Sequence, residues 1–255
     1  MHHYLIVWSD PVAGRDDEYN RWYTEVHVRD VMQHTQGAIA VQRFRRASRL
    51  PRADGSASRH GYLAIYEMSD PAKFTAGHAI VFTDAMPISD AFDMQTTLDA
   101  YYDPVIECTN EPGSAPEASV LIERLPEAAV TPEALAWYRD WLFLRLMRQP
   151  GVVGGFFGKA SAHQMMPIGT DAAGVIVLRT RDVSATLAAW ETLAFDPDGA
   201  AARADRSIEA FEPLMRRLMS YDVIHADPTA RERTEQARRA LGDRVHHAPI
   251  YQIPR

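Results

Sequence analysis

Sulfur chemistry is almost absent from this chain: it has one cysteine, Cys108, in 255 residues. A single thiol cannot close an internal disulfide, which fits a cytoplasmic setting. No histidine stands in a fixed relation to Cys108 that would make it a nucleophile. Long apolar runs are missing too. None approaches the ~18 residues needed to cross a bilayer, and Met1-His2-His3-Tyr4 leads straight into a strand-like segment, so no signal peptide is expected. Net positive charge is also lacking. The 27 Lys and Arg face 34 Asp and Glu, leaving −7, which argues against general affinity for nucleic acid or anionic membrane. There is no His-x-x-x-His or Cys-x-x-Cys pair, so no metal site is read. Gly151-Val152-Val153-Gly154-Gly155 follows a helix instead of opening one, which excludes a nucleotide-binding fingerprint there.

What is present is an ordinary globular balance, 46% hydrophobic and 24% charged, at a length suited to one large domain or two small ones. A faint internal repeat organises it. Tyr4 to Ser9 and Ser119 to Glu123 read as buried strands. Each precedes a helix start: Asp16-Asp17-Glu18 in one half, Thr131-Pro132-Glu133 in the other, where Thr131 suits an N-cap and Pro132 the first turn. Trp22-Tyr23 then matches Trp137-Tyr138, and Gly37 and Gly151 are placed to end the two helices. Residues 38–45 pair with 152–159, 62–68 with 174–180, and 102–107 with 221–225, all as strands. Asp70-Pro71 and Asp182-Val183 open second helices.

Each half therefore reads strand–helix–strand–strand–helix–strand. The first unit spans 1–108, a turn-rich linker 109–118, and the second unit 119–225. Residues 226–255 lie outside the repeat, with a charged surface helix at 228–241 and an extended arm at 248–255. Tyr4, Ile6 and Trp8 on one side of the first strand, with Leu5 and Val7 on the other, show that both faces seek burial.

The helix string Trp22-Tyr23-Thr24-Glu25-Val26-His27, after an acidic helix start and before Gly37, resembles the dimeric α/β-barrel superfamily, and within it the EthD-like branch. Tyr62-Leu63-Ala64-Ile65-Tyr66-Glu67 followed by Ser69-Asp70-Pro71 strengthens the likeness, which covers about residues 3–107 directly and 118–225 by pattern. The resemblance implies an α+β fold: two ferredoxin-like βαββαβ units closing an intramolecular dimeric α/β-barrel, plus a C-terminal helix and tail. The superfamily hosts cofactor-free isomerases, lyases and monooxygenases, polyketide cyclases and haem enzymes, so fold does not choose function.

At helical spacing Asn20, Tyr23, His27 and Asp30 form one polar stripe beside Trp22 and Val26. An imidazole suits proton transfer near neutral pH, the Asp30 carboxylate can fix its tautomer and raise its basicity, and a phenol can donate to a developing oxyanion. The competing reading is that His27 only packs between apolar neighbours, that Tyr23 packs too because it recurs as Tyr138, and that Asp30 faces solvent. The position matching His27 in the second half is Leu142, which places one functional pocket in the first half.

Asp10, at the end of the first strand, can reach a pocket or simply form a turn before Pro11. Tyr62, Tyr66, Tyr101 and Tyr102 are candidates to line an aromatic pocket with Trp8, and His78 to face the same cavity as His27. Met165-Met166 can line an apolar entrance or fill gaps. The arginines at 43, 45, 46, 49, 52 and 59 can attract an acidic substrate or a phosphate, or form a solvated strand end and mobile loop; the second reading is preferred.

The leading expectation is an enzyme acting without a cofactor on a small hydrophobic, aromatic or cyclic molecule by elimination or isomerisation. His27, Tyr23 and Asp10 are its catalytic candidates. Asn20, Trp8, Tyr62, Tyr66, His78 and Tyr101 are its substrate-binding candidates. A haem needs only one axial histidine and stays open. The alternatives are a cofactor-free monooxygenase and a non-catalytic binding or assembly protein. A homodimer is a further expectation.

Overall fold

The computed structural model describes residues 2–47, 60–78, 86–110, 118–165, 167–194, 208–221, 223 and 245–246. Eight antiparallel strands close a barrel in the order β2 (Ala38–Arg46), β3 (Tyr62–Met68), β1 (His3–Pro11), β5 (Phe92–Thr109), β7 (Val152–Ala160), β8 (Gly174–Thr180), β6 (Ser119–Leu125) and β9 (Ile208–Pro213), with β9 pairing back onto β2. Closure leaves no unpaired edge in the ring. The two seams are reciprocal. Strand β5 pairs with β1 up to Tyr102 and then with β7 from Tyr102 to Thr109. Strand β9 pairs with β6 over 208–211 and then with β2 from Phe211 to Pro213. Short β10 (Leu218–Met219) adds to β2, and β11 (Val245–His246) pairs with β4 (Ile88–Ser89).

Alternation along each strand separates two environments. Tyr4, Ile6, Trp8, Phe44, Ile65 and Phe156 point into the barrel and form a buried core, where the Tyr4 and Phe156 rings stack at 4.0 Å. One barrel end is tied across the halves by Glu67, which accepts hydrogen bonds from Arg179 Nη2 at 3.2 Å and Arg217 Nε at 2.9 Å. Burial works against its charge, but the Arg217 hydrogen bond and both guanidinium charges hold the carboxyl below its ordinary range.

The opposite, outward face of each half is covered by a helix. The first runs over 16–34, with α-helix at Asp16–Trp22 and Val28–His34 around a π-turn at Tyr23–His27. Its counterpart runs over 132–146, with a π-turn at Tyr138–Phe143. Thr131 caps the second helix by accepting from the Ala134 amide at 3.2 Å, whereas the first has no side-chain cap. Gly37 and Gly151 follow the two helices at φ +83 and +84, a backbone region that penalises any side chain. Each glycine carbonyl accepts a strand-end amide, from Ser69 and Arg181 respectively.

Six expected strands lie where the sequence put them, but both closing strands differ. The first, expected at 102–107, starts at Phe92. The second is Ile208–Pro213, not 221–225; the described residues 220–221 and 223 are helical. The helix expected at 228–241, the arm at 248–255 and linker residues 111–117 lie outside the described residues. No helix among the described residues is long and apolar enough to cross a membrane.

Candidate functional site

The first helix lays its aromatic residues on the outward face of β1, β2, β3 and β5. Tyr19, Trp22, Tyr23, Tyr66 and Tyr101 are all buried in one cluster. His27 is 8% exposed, with its ring 4.9 Å from the ring of Trp22 and 4.9 Å from that of Tyr23. The π-turn matters for this clamp: one extra residue in the turn sets Trp22 and His27, five apart, face to face, where an α-helix favours partners three or four apart. A π-turn alone is not the functional signal, because the second helix has one too.

The Tyr66 hydroxyl donates to the Tyr23 hydroxyl at 3.5 Å. Burial pushes the Tyr19, Tyr23, Tyr66 and Tyr101 phenols well up from their ordinary values, so all four remain protonated donors at neutral pH. The Tyr101 and Thr75 hydroxyls lie side by side, and among the described residues neither completes a hydrogen bond.

Two residues join this face that sequence reasoning did not assign to it. Arg43, read as part of a solvated strand end, is 0% exposed. Its guanidinium carbon lies 4.1 Å from the Tyr23 ring centre and 5.2 Å from that of Tyr19. Nη1 donates to Thr24 Oγ1 at 2.5 Å, and Nη2 to Asn20 Oδ1 at 3.1 Å. The alternation of β2 carries the missed signal, since Arg43 shares the face of Val41 and not that of Phe44. Asp99 is the second. It pairs with Val7 in register on the same face, and burial raises its carboxyl above the usual range. Its charge also acts on the Tyr23 and Tyr101 phenols.

The other candidates fall in several places. Asn20 Nδ2 donates to the Tyr62 hydroxyl at 2.8 Å, and that hydroxyl donates to Asp16 at 3.0 Å on the rim. Asn20, Arg43, Tyr23 and His27 thus form one continuous chain of contacts. Trp8 does not join it: it points into the barrel with Tyr102, so the expected pocket of Trp8 with Tyr62, Tyr66 and Tyr101 is split by the sheet. Asp10 accepts from the Gly61 amide at 2.6 Å and pairs with His60 Nδ1 at 3.2 Å, which fixes the start of β3. His78 ends a helix, Pro71–His78, and its side chain lies outside the described residues. Asp30, expected to face solvent, is 1% exposed. Met165 packs against the aromatic cluster, and Met166 lies outside the described residues. So do Arg49, Arg52 and Arg59.

Phe92 stacks on Tyr19 at 6.1 Å and lies 5.6 Å from Trp22. Phe92 also lines a recess of about 330 Å³ that opens to the surface, with Val12, Ile88, Ser89, Asp93 and Met94. That volume is at the lower end of the small-molecule range. Among the described residues no three His, Cys, Asp or Glu side chains converge as metal ligands. Two aromatic rings pack against the His27 imidazole.

No protein-family profile matches the sequence, and no curated protein does. Solved structures do. An anthrone oxidase-like protein superposes with a TM-score of 0.58 at 12% identity, over 89% of this chain and 96% of its own. A proposed monooxygenase from Fusobacterium nucleatum subsp. nucleatum gives 0.55 at 11% identity, over 84% and 93%. Chlorite dismutase from Candidatus Nitrospira defluvii, as a single-residue mutant, gives 0.51 at 8% identity, over 91% and 95%. At such identities the likeness concerns fold alone. It agrees with the strand pairing: the chain has the dimeric α/β-barrel fold, with all eight barrel strands supplied by one polypeptide.

Proposed function

We propose that this protein is an enzyme that moves a proton on a small aromatic or cyclic molecule without a bound cofactor, with His27 as the base. One observation carries the reading. The outward face of the first half brings His27, Arg43 and Asp99 together with the phenols of Tyr19, Tyr23, Tyr66 and Tyr101, where the matching positions of the second half hold Leu142, Phe157 and Ile208 and its buried polar groups include the Tyr138 phenol and the Glu123 carboxyl. His27 takes a proton from an acidic C–H or O–H of the substrate. The Tyr23 phenol and the Asn20 amide donate to, or orient, the oxyanion that forms. Asp10 holds the β1–β3 corner of the site and touches no reacting atom in this reading.

The substrate carbanion has two fates. Reprotonation elsewhere or loss of a leaving group gives isomerisation or elimination. Reaction with dioxygen gives oxygenation: a ring CH2 and O2 become C=O and water, the substrate supplying the electrons. The names of two structural neighbours, one anthrone oxidase-like and one a proposed monooxygenase, favour the second fate. An EthD-like ancestry by tandem duplication, a cytoplasmic location and a homodimeric assembly belong to the same proposal.

Anthrone is the first substrate to test, with C–H exchange in D2O and oxygen uptake as separate readouts. His27→Ala should lower both by about 10²–10⁴-fold with unchanged circular dichroism. Oxygen uptake that survives the substitution overturns His27 as the base. Deuterium exchange without oxygen uptake selects isomerisation or elimination. A native mass carrying a haem, with the matching absorbance band, overturns the cofactor-free reading.

A further inference from the structure

Arg43 is an oddity that proton transfer at His27 does not explain. Its guanidinium is fully buried, yet among the described residues no carboxylate stands within ion-pair distance of it. Its partners are neutral: the Thr24 hydroxyl, the Asn20 side-chain and backbone carbonyls, and the faces of Tyr19 and Tyr23. Buried charges are ordinarily paired, because desolvation is costly and neutral dipoles recover only part of it. The fold does not require a charge here. By strand register, Arg43 faces Ala64 on β3 as Phe157 faces Ile176 on β8. Phe157 is likewise 0% exposed and packs in an apolar cluster. The first half therefore carries a cation where the second half carries a phenyl ring.

We infer that Arg43 is an anion-recognition residue and that the substrate is an aromatic or cyclic carboxylate whose charged group pairs with this guanidinium. This rests on the proposed function for the location of the site and adds the substrate's charge. The fork geometry of a guanidinium suits a carboxylate, which can take two parallel hydrogen bonds. A route exists as well. The half-buried Asn20 side chain bridges Arg43 to the half-buried Tyr62 hydroxyl, and Tyr62 reaches Asp16 at the exposed rim. Rotation of Asn20 frees Nη2 for an incoming carboxylate oxygen. The half-buried Tyr62 ring, 5.8 Å from the Arg43 guanidinium carbon, is then placed to stack the ring to which the carboxylate is attached. Anthrone lacks such a group and should be a poor mimic of the natural substrate.

The test is equilibrium binding of 2-naphthoate and of its neutral counterpart 2-naphthalenemethanol, read by calorimetry at neutral pH. The wild-type protein should bind the carboxylate at least about tenfold more tightly, as expected when a buried charge finds its partner. Arg43→Met should bring the two affinities to within about twofold, and Arg43→Lys should keep a reduced preference. Equal affinity in the wild type overturns the inference whether or not either variant folds. So does a preference that persists in folded Arg43→Met, or undetectable binding of 2-naphthoate at millimolar concentration. Binding needs no turnover, so this result stands apart from the His27→Ala kinetics: either can fail while the other holds.

Discussion

At equivalent strand and helix registers the first half places His27, Arg43, Tyr66, Asp99 and Tyr101 where the second half places Leu142, Phe157, Leu178, Ile208 and Ala210. Both faces are covered by a helix with a π-turn in the same place, and both helices are followed by a glycine of positive φ. The second half shows that the scaffold accepts apolar side chains at the positions of His27, Arg43, Tyr66, Asp99 and Tyr101, although it buries the Glu123 carboxyl and the Tyr138 phenol elsewhere on the same face. The polar groups at these five positions are therefore more than the fold demands. Buried polar groups cost stability unless satisfied, and the proposed function gives a reason to keep them.

Substitutions that exchange content between the halves test this contrast. The largest effect is expected from His27→Leu, which gives the first helix the second helix's residue. Turnover should fall by about 10²–10⁴-fold while the thermal midpoint holds or rises, as measured by steady-state kinetics and calorimetry. Leu142→Ala should do the reverse. It removes a side chain that is 1% exposed, so stability should drop by about 2–5 kcal/mol in urea titration, with turnover per folded molecule retained.

Asp99 gives a pH signature. Burial raises its carboxyl in the folded state, so the folded protein holds this proton where the unfolded chain has lost it. Stability then falls as pH rises from the ordinary Asp range through the raised folded value. Asp99→Asn should match the wild type below that window and be more stable above it, by urea titration at both pH values. A constant difference would place the effect in packing instead. The smallest effect concerns the caps. Thr131→Ala should cost about 1 kcal/mol, a loss with no parallel in the first helix, where Arg15 occupies the cap without a side-chain bond.

The contrast also marks what the sequence could reveal. Strands β1, β2, β3, β6, β7 and β8 were legible because apolar runs bounded by turn residues are a local signal. The final strand was not. Residues 221–225 share Tyr-Asp and Val-Ile with 102–107, and that likeness outweighed the weaker alternation of Ile208, Ala210 and Phe211. Which side of the sheet a residue occupies was legible only from strict alternation. That rule separates Trp8 from Tyr66 and Tyr101, and it turns Arg43 onto the helix-covered face, out of a run of arginines that composition alone assigns to solvent. The neighbourhood of Asp99 was not legible, because it depends on β5 starting at Phe92 and pairing with β1.

On this proposal small molecules bind on the first half's helix-covered face and not on the second's. The chain's five tryptophans are natural reporters: Trp22 lies on the first face, Trp137, Trp141 and Trp190 on the second, and Trp8 inside the barrel. The decisive measurement is NMR of the indole N–H resonances during titration with 2-naphthoate. The expected result is a saturable shift of Trp22, whose indole donates to the Pro87 carbonyl at 3.2 Å beside the recess, with Trp137, Trp141 and Trp190 unmoved. Shifts confined to the second-face tryptophans, or to Trp8, would contradict the claim.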